Sequence, residues 1–134
     1  MRRFARGKPR HRKAAGEMNR TEAAYAQQLM VAKAEGRILD FAYEPITLKL
    51  ANDLRYTPDF LVLDNECVVH FHEVKAGMKK KVNGVWSGHY APIVEDDARC
   101  KIIMAAHQWP MFRFSMHWSC GAARGLWESR EIEP

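Results

Sequence analysis

The sequence predicts a single α/β domain in which two helices flank a central β-sheet. At 134 residues the chain has the usual length of one domain, and it is long enough to bury a hydrophobic core. Segments with the period of a helix alternate with segments with the period of a strand, in the order α-β-β-β-loop-α-β. Hydrophobic residues make up 47% of the chain and charged residues 28%, which is typical of a globular protein.

The first helix is predicted to begin after Asn19 and to end before Gly36. Asn19 is a favourable N-cap, and Glu22 follows three residues later, as in a capping box. Apolar residues then recur at helical spacing, and glycine suits the left-handed conformation in which many helices end. A second helix is predicted over about residues 95–108, because acidic residues open it and Trp109-Pro110 closes it.

Four strands are predicted from the alternation of apolar and polar residues. Three of them, at residues 46–50, 56–63 and 67–75, are expected to form a meander. The fourth, at 112–118, follows the second helix.

Two segments are predicted to lie outside this core. Residues 76–94 contain turn signals and three lysines, and they are expected to form an inserted basic loop or β-hairpin. Residues 121–134 have no firm period, so they are expected to be a C-terminal tail, either a short helix or a loose segment.

Positive charge is concentrated at the N-terminus of a chain whose net charge is +5. Residues 1–16 are predicted to be a flexible basic arm, either a solvated tail, a targeting segment or a contact for DNA phosphates. The cations expected to bind DNA are those of the arm and of the inserted segment: Arg2, Arg3, Arg6, Lys8, Arg10, Arg12, Lys13, Lys79, Lys80 and Lys81.

Composition also indicates the cellular compartment. No apolar run approaches the roughly 20 residues that span a bilayer, and the N-terminus carries no apolar signal segment. Cys67, Cys100 and Cys120 lack the spacing of a disulfide or zinc framework. We therefore expect a cytoplasmic protein without a membrane partner.

The candidate active site consists of Asp59, in Thr57-Pro58-Asp59, together with Glu73 and Lys75. Side chains alternate along a strand, so Glu73 and Lys75 should share one face, and a tight hairpin would bring Asp59 beside Glu73. Adjacent carboxylates repel each other unless a cation lies between them, and Mg²⁺ bound by Asp59, Glu73 and the carbonyl of Val74 would serve. Lys75 would then act on the attacking water or on the transition state. The alternative is an exposed ion pair beside a turn residue.

These motifs resemble those of the PD-(D/E)xK nuclease superfamily, which has a restriction-endonuclease-like αβββαβ core with a central mixed sheet. Within that superfamily, the chain resembles the phage endonuclease I family of Holliday-junction resolvases and related small phage nucleases, over about residues 21–118. The matching segments are Thr57-Pro58-Asp59-Phe60, Glu73-Val74-Lys75, Asp96-Asp97-Ala98-Arg99-Cys100-Lys101 and Pro110.

The resemblance implies a metal-dependent endodeoxyribonuclease that acts on branched DNA as a homodimer, is encoded by a phage and works inside a bacterial host. Its cofactor would be Mg²⁺, with Mn²⁺ as a substitute. The resemblance also implies that Glu22 is a further metal or water ligand. The residues alone allow a purely structural capping role as well. From the same resemblance, Lys101 is expected to be a phosphate contact.

Two departures from the family pattern leave junction specificity open. Residues 76–94 are much longer than the family's connection, and Ala76 replaces a common glycine. The alternatives are a nicking or double-strand endonuclease without junction preference, and a DNA-binding or assembly module with a vestigial nuclease site.

Overall fold

A computed structural model describes residues 16–121 and 125–134 of the chain. The seven cations predicted for the basic arm lie outside these residues. The elements, in chain order, are α1 (Arg20–Ala34), β1 (Ile38–Tyr43), β2 (Leu48–Ala51), β3 (Leu54–Tyr56), β4 (Phe60–Asp64), β5 (Val69–Lys75), β6 (Gly77–Val82), β7 (Val85–Pro92), α2 (Asp96–Gln108), β8 (Arg113–Ser119) and β9 (Trp127–Ile132).

A five-stranded mixed sheet with the order β1-β4-β5-β8-β9 forms the centre of the fold. β5 and β8 are parallel, and the other neighbouring strands are antiparallel. Helix α2 lies in the connection between the two parallel strands, as such a crossover requires. The predicted α/β class, with a central sheet and two flanking helices, is confirmed.

Each helix covers one face of this sheet. Residues of α1 pack with alternate residues of β4 and β5, in a cluster that includes Tyr25, Leu29, Phe60, Val62 and Val74. Residues of α2 pack with the opposite set, in a cluster that includes Phe71, Ile102, Ala105, Phe114 and Met116. Successive side chains of a strand point to opposite faces, so Phe71 and Val74 belong to different layers.

The predicted limits of α1 are confirmed at both ends. Asn19 accepts a hydrogen bond from the amide of Glu22, and the Glu22 carboxylate accepts one from the amide of Asn19, so the capping box is complete. Gly36 follows the helix with a φ of 74°, a conformation that glycine adopts without strain. The second helix also lies within its predicted range.

The first strand of the meander was placed wrongly. Residues 38–43, for which no strand was predicted, form the edge strand β1, whereas 48–51 pair with 54–56 in a separate two-stranded sheet. The alternation at 46–50 reflects burial of Leu48 and Leu50 in the α2 cluster rather than a place in the main sheet. The predicted strand at 56–63 is likewise two strands, interrupted at Thr57–Asp59.

The prediction that the C-terminal residues form a short helix or a loose tail is wrong. Trp127–Ile132 form strand β9 at the edge of the main sheet. An edge strand has only one neighbour and exposes much of its surface, so its polar residues Glu128 to Glu131 do not need the alternation that marks a half-buried strand.

The inserted segment forms the predicted β-hairpin. β6 and β7 pair antiparallel around the Asn83-Gly84 turn, immediately after the candidate Lys75. Within the described residues, no helix has the length and hydropathy needed to cross a membrane.

Candidate active site

Glu73 and Lys75 lie at the end of β5, on the face of the sheet that carries Phe71 and packs on α2. The Lys75 Nζ is 3.3 Å from Glu73 Oε1, which confirms that the two side chains share a face. The Tyr56 hydroxyl donates a hydrogen bond of 2.5 Å to the other carboxylate oxygen, Glu73 Oε2. Glu73 is only 7% exposed, so this carboxylate is held on both of its oxygens inside the protein.

Asp59 immediately precedes β4 and reaches the end of β5. Its Oδ2 accepts a hydrogen bond of 2.7 Å from the backbone amide of Val74. This bond joins Asp59 to the residue that separates Glu73 from Lys75, so the structure brings the three motif residues together. The contact uses the amide of Val74, and the predicted metal-binding role of its carbonyl stays a prediction.

Glu22 approaches the same end of the sheet from the α1 side. It is 2% exposed, and one of its carboxylate oxygens lies within 4.8 Å of carboxylate oxygens of Asp59 and Glu44. The same side chain completes the capping box of α1. The two interpretations offered by the sequence are therefore compatible, because the cap fixes Glu22 in a position that faces Asp59.

The sequence analysis missed Glu44. This residue follows β1 in a left-handed conformation with a φ of 46°, and its amide donates a hydrogen bond of 2.8 Å to the carbonyl of Asp59. The pairing of β1 with β4 therefore positions it. The sequence does show an acidic residue directly after the apolar segment 38–43 and before Pro45. This position indicates a site residue only if segment 38–43 is known to be a strand of the main sheet.

Burial disfavours the ionised forms of two carboxylates of the site, Asp59 and Glu73. Burial, and secondarily the neighbouring charge of Glu73, raise the pKa of Asp59 to about 8, although Val74 and Lys75 act in the opposite direction. Burial also raises the pKa of Glu73, against the lowering effects of Tyr56 and Lys75. Several carboxylates thus lie close together where water is largely excluded. A cation bound between them would stabilise their ionised forms.

The donor set fits a hard divalent cation. Glu22, Glu44 and Asp59 offer oxygen ligands only, and oxygen is what Mg²⁺ selects. Asp59 belongs both to this cluster and to the Asp59–Glu73–Lys75 set.

The predicted DNA-binding cations occupy different places. Lys79, Lys80 and Lys81 are exposed on β6, close in sequence to Lys75, whereas Lys101 is half-buried on α2. Contact of these side chains with DNA stays a prediction.

Comparison with known proteins gives no match: no family model, no curated protein and no solved structure matches this chain. What the protein does must therefore be argued from the geometry of the site.

Proposed function

We propose that this protein is a metal-dependent endonuclease that hydrolyses phosphodiester bonds of DNA. The observation that carries the proposal is the convergence of Glu22, Glu44 and Asp59 with the buried Glu73 and the half-buried Lys75 at one end of the sheet. The order of the helices and main-sheet strands is α1-β1-β4-β5-α2-β8-β9, and its first six elements support a restriction-endonuclease-like αβββαβ core. The resemblance to PD-(D/E)xK nucleases supports the same assignment.

The residues have separate roles in this proposal. Asp59, Glu22 and Glu44 hold Mg²⁺, or Mn²⁺ as a substitute, and Glu73 completes the negative site from the α2 face. A bound divalent ion polarises a phosphoryl oxygen and lowers the pKa of a coordinated water. The ammonium of Lys75, held by Glu73, orients the attacking water and stabilises the charge that develops on the phosphate.

Hydrolysis then proceeds with a simple balance of bonds. The water oxygen attacks phosphorus and loses a proton, while the bond from phosphorus to the leaving sugar oxygen breaks and that oxygen gains a proton. The resemblance extends the proposal to branched DNA cut by a homodimer, in which each of two sites acts on one strand.

The test is cleavage of labelled four-way junction, linear duplex and single-stranded DNA by the full chain with Mg²⁺ or Mn²⁺. We expect Asp59→Asn and Lys75→Ala to lower cleavage by about 10²–10³-fold, because each removes a charge that acts in the transition state. Glu66→Gln is the matched control, since Glu66 is an exposed carboxylate in the turn between β4 and β5.

Two results would contradict the proposal at different levels. Absence of cleavage of every substrate with either metal would exclude the nuclease activity. Equal cleavage of linear duplex and junction would exclude only the preference for branched DNA, and it would favour a general nicking or double-strand endonuclease.

A further inference from the structure

The β6–β7 hairpin is exposed on both faces for most of its length. Trp86 is 46% and Val85 70% exposed, and β6 has no fully buried residue. An isolated two-stranded hairpin is only marginally stable in water, so its root must be held. The root is held because the carbonyl of Tyr90 accepts a hydrogen bond of 2.9 Å from the Trp118 indole, and the amide of Gly77 donates one of 3.1 Å to the Ser119 hydroxyl.

One face of the hairpin combines cations with aromatic rings. The pairing register places Lys79 opposite Tyr90 and Lys81 opposite Trp86, so these four residues share a face. The Lys79 Nζ lies 4.7 Å from the centre of the Trp86 ring, and the rings of Trp86 and Tyr90 are 5.9 Å apart. We call these four residues the basic–aromatic face.

One residue of the basic–aromatic face, Tyr90, lies next to a groove between α1, the root of the hairpin and the start of β9. The groove has a volume of about 440 Å³, and its lining includes Arg20, Thr21, Ala76, Gly77, Gly121 and Trp127. A Cβ at Gly121 would lie 3.3 Å from the Tyr90 hydroxyl, so Tyr90 borders the groove. Two residues that line the groove are sequence neighbours of candidate site residues, because Ala76 directly follows Lys75 and Thr21 directly precedes Glu22.

We propose that the basic–aromatic face and this groove bind an unpaired segment of the DNA strand that leads to the scissile phosphate. This inference rests on the proposed nuclease function and specifies its substrate as DNA with unpaired nucleotides next to the cleavage point. Lys79, Lys81 and Arg20 neutralise phosphates along the segment, and Trp86 and Tyr90 stack on its bases.

The chemistry of the face favours unpaired over paired nucleotides. A phosphate contact alone does not distinguish the two, because lysine and arginine bind the backbone of any nucleic acid. An aromatic ring can stack only on a base whose flat side is accessible, which is the recognition mode of single-strand-binding grooves. Two adjacent aromatic residues flanked by lysines therefore match an unpaired strand.

The test measures binding without cleavage. A fluorescently labelled oligothymidine of about 16 nucleotides and a blunt duplex of the same length are titrated with the full chain in EDTA, and anisotropy is followed. We expect Trp86→Ala to weaken oligothymidine binding about tenfold or more, which is the scale of one lost stacking contact, and to change duplex binding much less.

Matched variants separate this effect from a general loss of structure or charge. Val85→Ala truncates the more exposed neighbour on the opposite face of β7, and we expect it to leave both affinities unchanged. Lys79→Ala should weaken oligothymidine binding more than Lys80→Ala, because the Lys79 Nζ lies against the Trp86 ring, whereas the next residue of β6, Lys80, alternates to the opposite side of the strand. Unchanged unfolding midpoints show that each variant is folded.

The outcomes distinguish this inference from the nuclease proposal. An equal loss of affinity for oligothymidine and duplex in Trp86→Ala, or equal effects of Lys79→Ala and Lys80→Ala, would overturn strand binding by this face even if the protein cleaves DNA. A selective loss in Trp86→Ala supports strand binding even if no substrate is cleaved.

Discussion

Glu73 is the residue on which the local chemistry depends most. A buried carboxylate is stable as an anion only when its lone pairs are satisfied, and here Tyr56 and Lys75 occupy one oxygen each. Tyr56 is itself buried, and its pKa is raised by that burial and by the charge of Glu73, so its hydroxyl remains a donor. We therefore regard Tyr56 as a positioning residue that aims Glu73 and, through it, Lys75.

The role of Tyr56 can be tested with Tyr56→Phe, which removes only the hydroxyl. We expect kcat for DNA cleavage to fall about 10- to 100-fold, because the Glu73 carboxylate that holds Lys75 would lose one of its two partners and Lys75 would be less well positioned. KM for DNA should change little, because Tyr56 is only 6% exposed. A parallel fall in the unfolding midpoint with unchanged kcat would show that Tyr56 serves stability alone.

At the scale of elements, the sequence predicted the site residues whose positions depend on short-range rules. Strand alternation placed Glu73 and Lys75 together, and capping chemistry placed Glu22 at the start of α1. Glu44 could not be found in this way, because its position depends on the long-range pairing of β1 with β4. Strand β9 was missed for a related reason. Its place in the sheet depends on pairing with β8, and its own sequence is too polar to show the alternation of a strand.

Helix α1 joins the observed capping role of Glu22 to its proposed role in metal binding, and two substitutions separate them. Asn19→Ala removes the side-chain cap, and we expect it to lower the free energy of unfolding by about 0.5–2 kcal/mol. Glu22→Gln keeps an oxygen that can accept from the Asn19 amide but removes the negative charge. It should therefore retain most of the stability and lose most of the metal-dependent cleavage.

Chemical denaturation and cleavage assays on the same preparations measure both effects. If Glu22→Gln cleaves DNA as fast as the wild type, Glu22 is only a capping residue. If Asn19→Ala loses activity as completely as Glu22→Gln, the cap is itself required to hold the carboxylate in place.

The whole molecule contains two groups of largely buried titratable side chains, one acidic and one of histidines. The carboxylates lie at the end of β5, and a histidine cluster lies on its α1 face. There the His72 ring stacks on His117 with centroids 4.1 Å apart, and the Tyr25 hydroxyl lies 2.6 Å from His72 Nδ1. Burial lowers the pKa of His117 to about 4 and that of His72 well below its ordinary value.

These two groups predict that the metal-free protein is most stable near neutral pH. The folded state resists protonation of His72 and His117, so the unfolded state binds more protons and stability falls as the pH decreases from about 6.5 towards 4. Asp59 behaves in the opposite way, because its raised pKa makes the folded state bind the extra proton. Its contribution is complete below about pH 4 and is lost as the pH rises through about 8.

Urea unfolding in EDTA over about pH 4–9 tests both limbs of this profile. Asp59→Asn keeps an oxygen acceptor for the Val74 amide and removes the charge, so we expect it to flatten the alkaline limb and to be more stable than the wild type at about pH 8. His117→Phe keeps a ring against His72 but cannot be protonated. It should reduce the acid slope by up to about 1.4 kcal/mol per pH unit. An alkaline limb that persists in Asp59→Asn would show that another group causes it, whereas addition of Mg²⁺ to the wild type should flatten that limb if the cation occupies the carboxylate site.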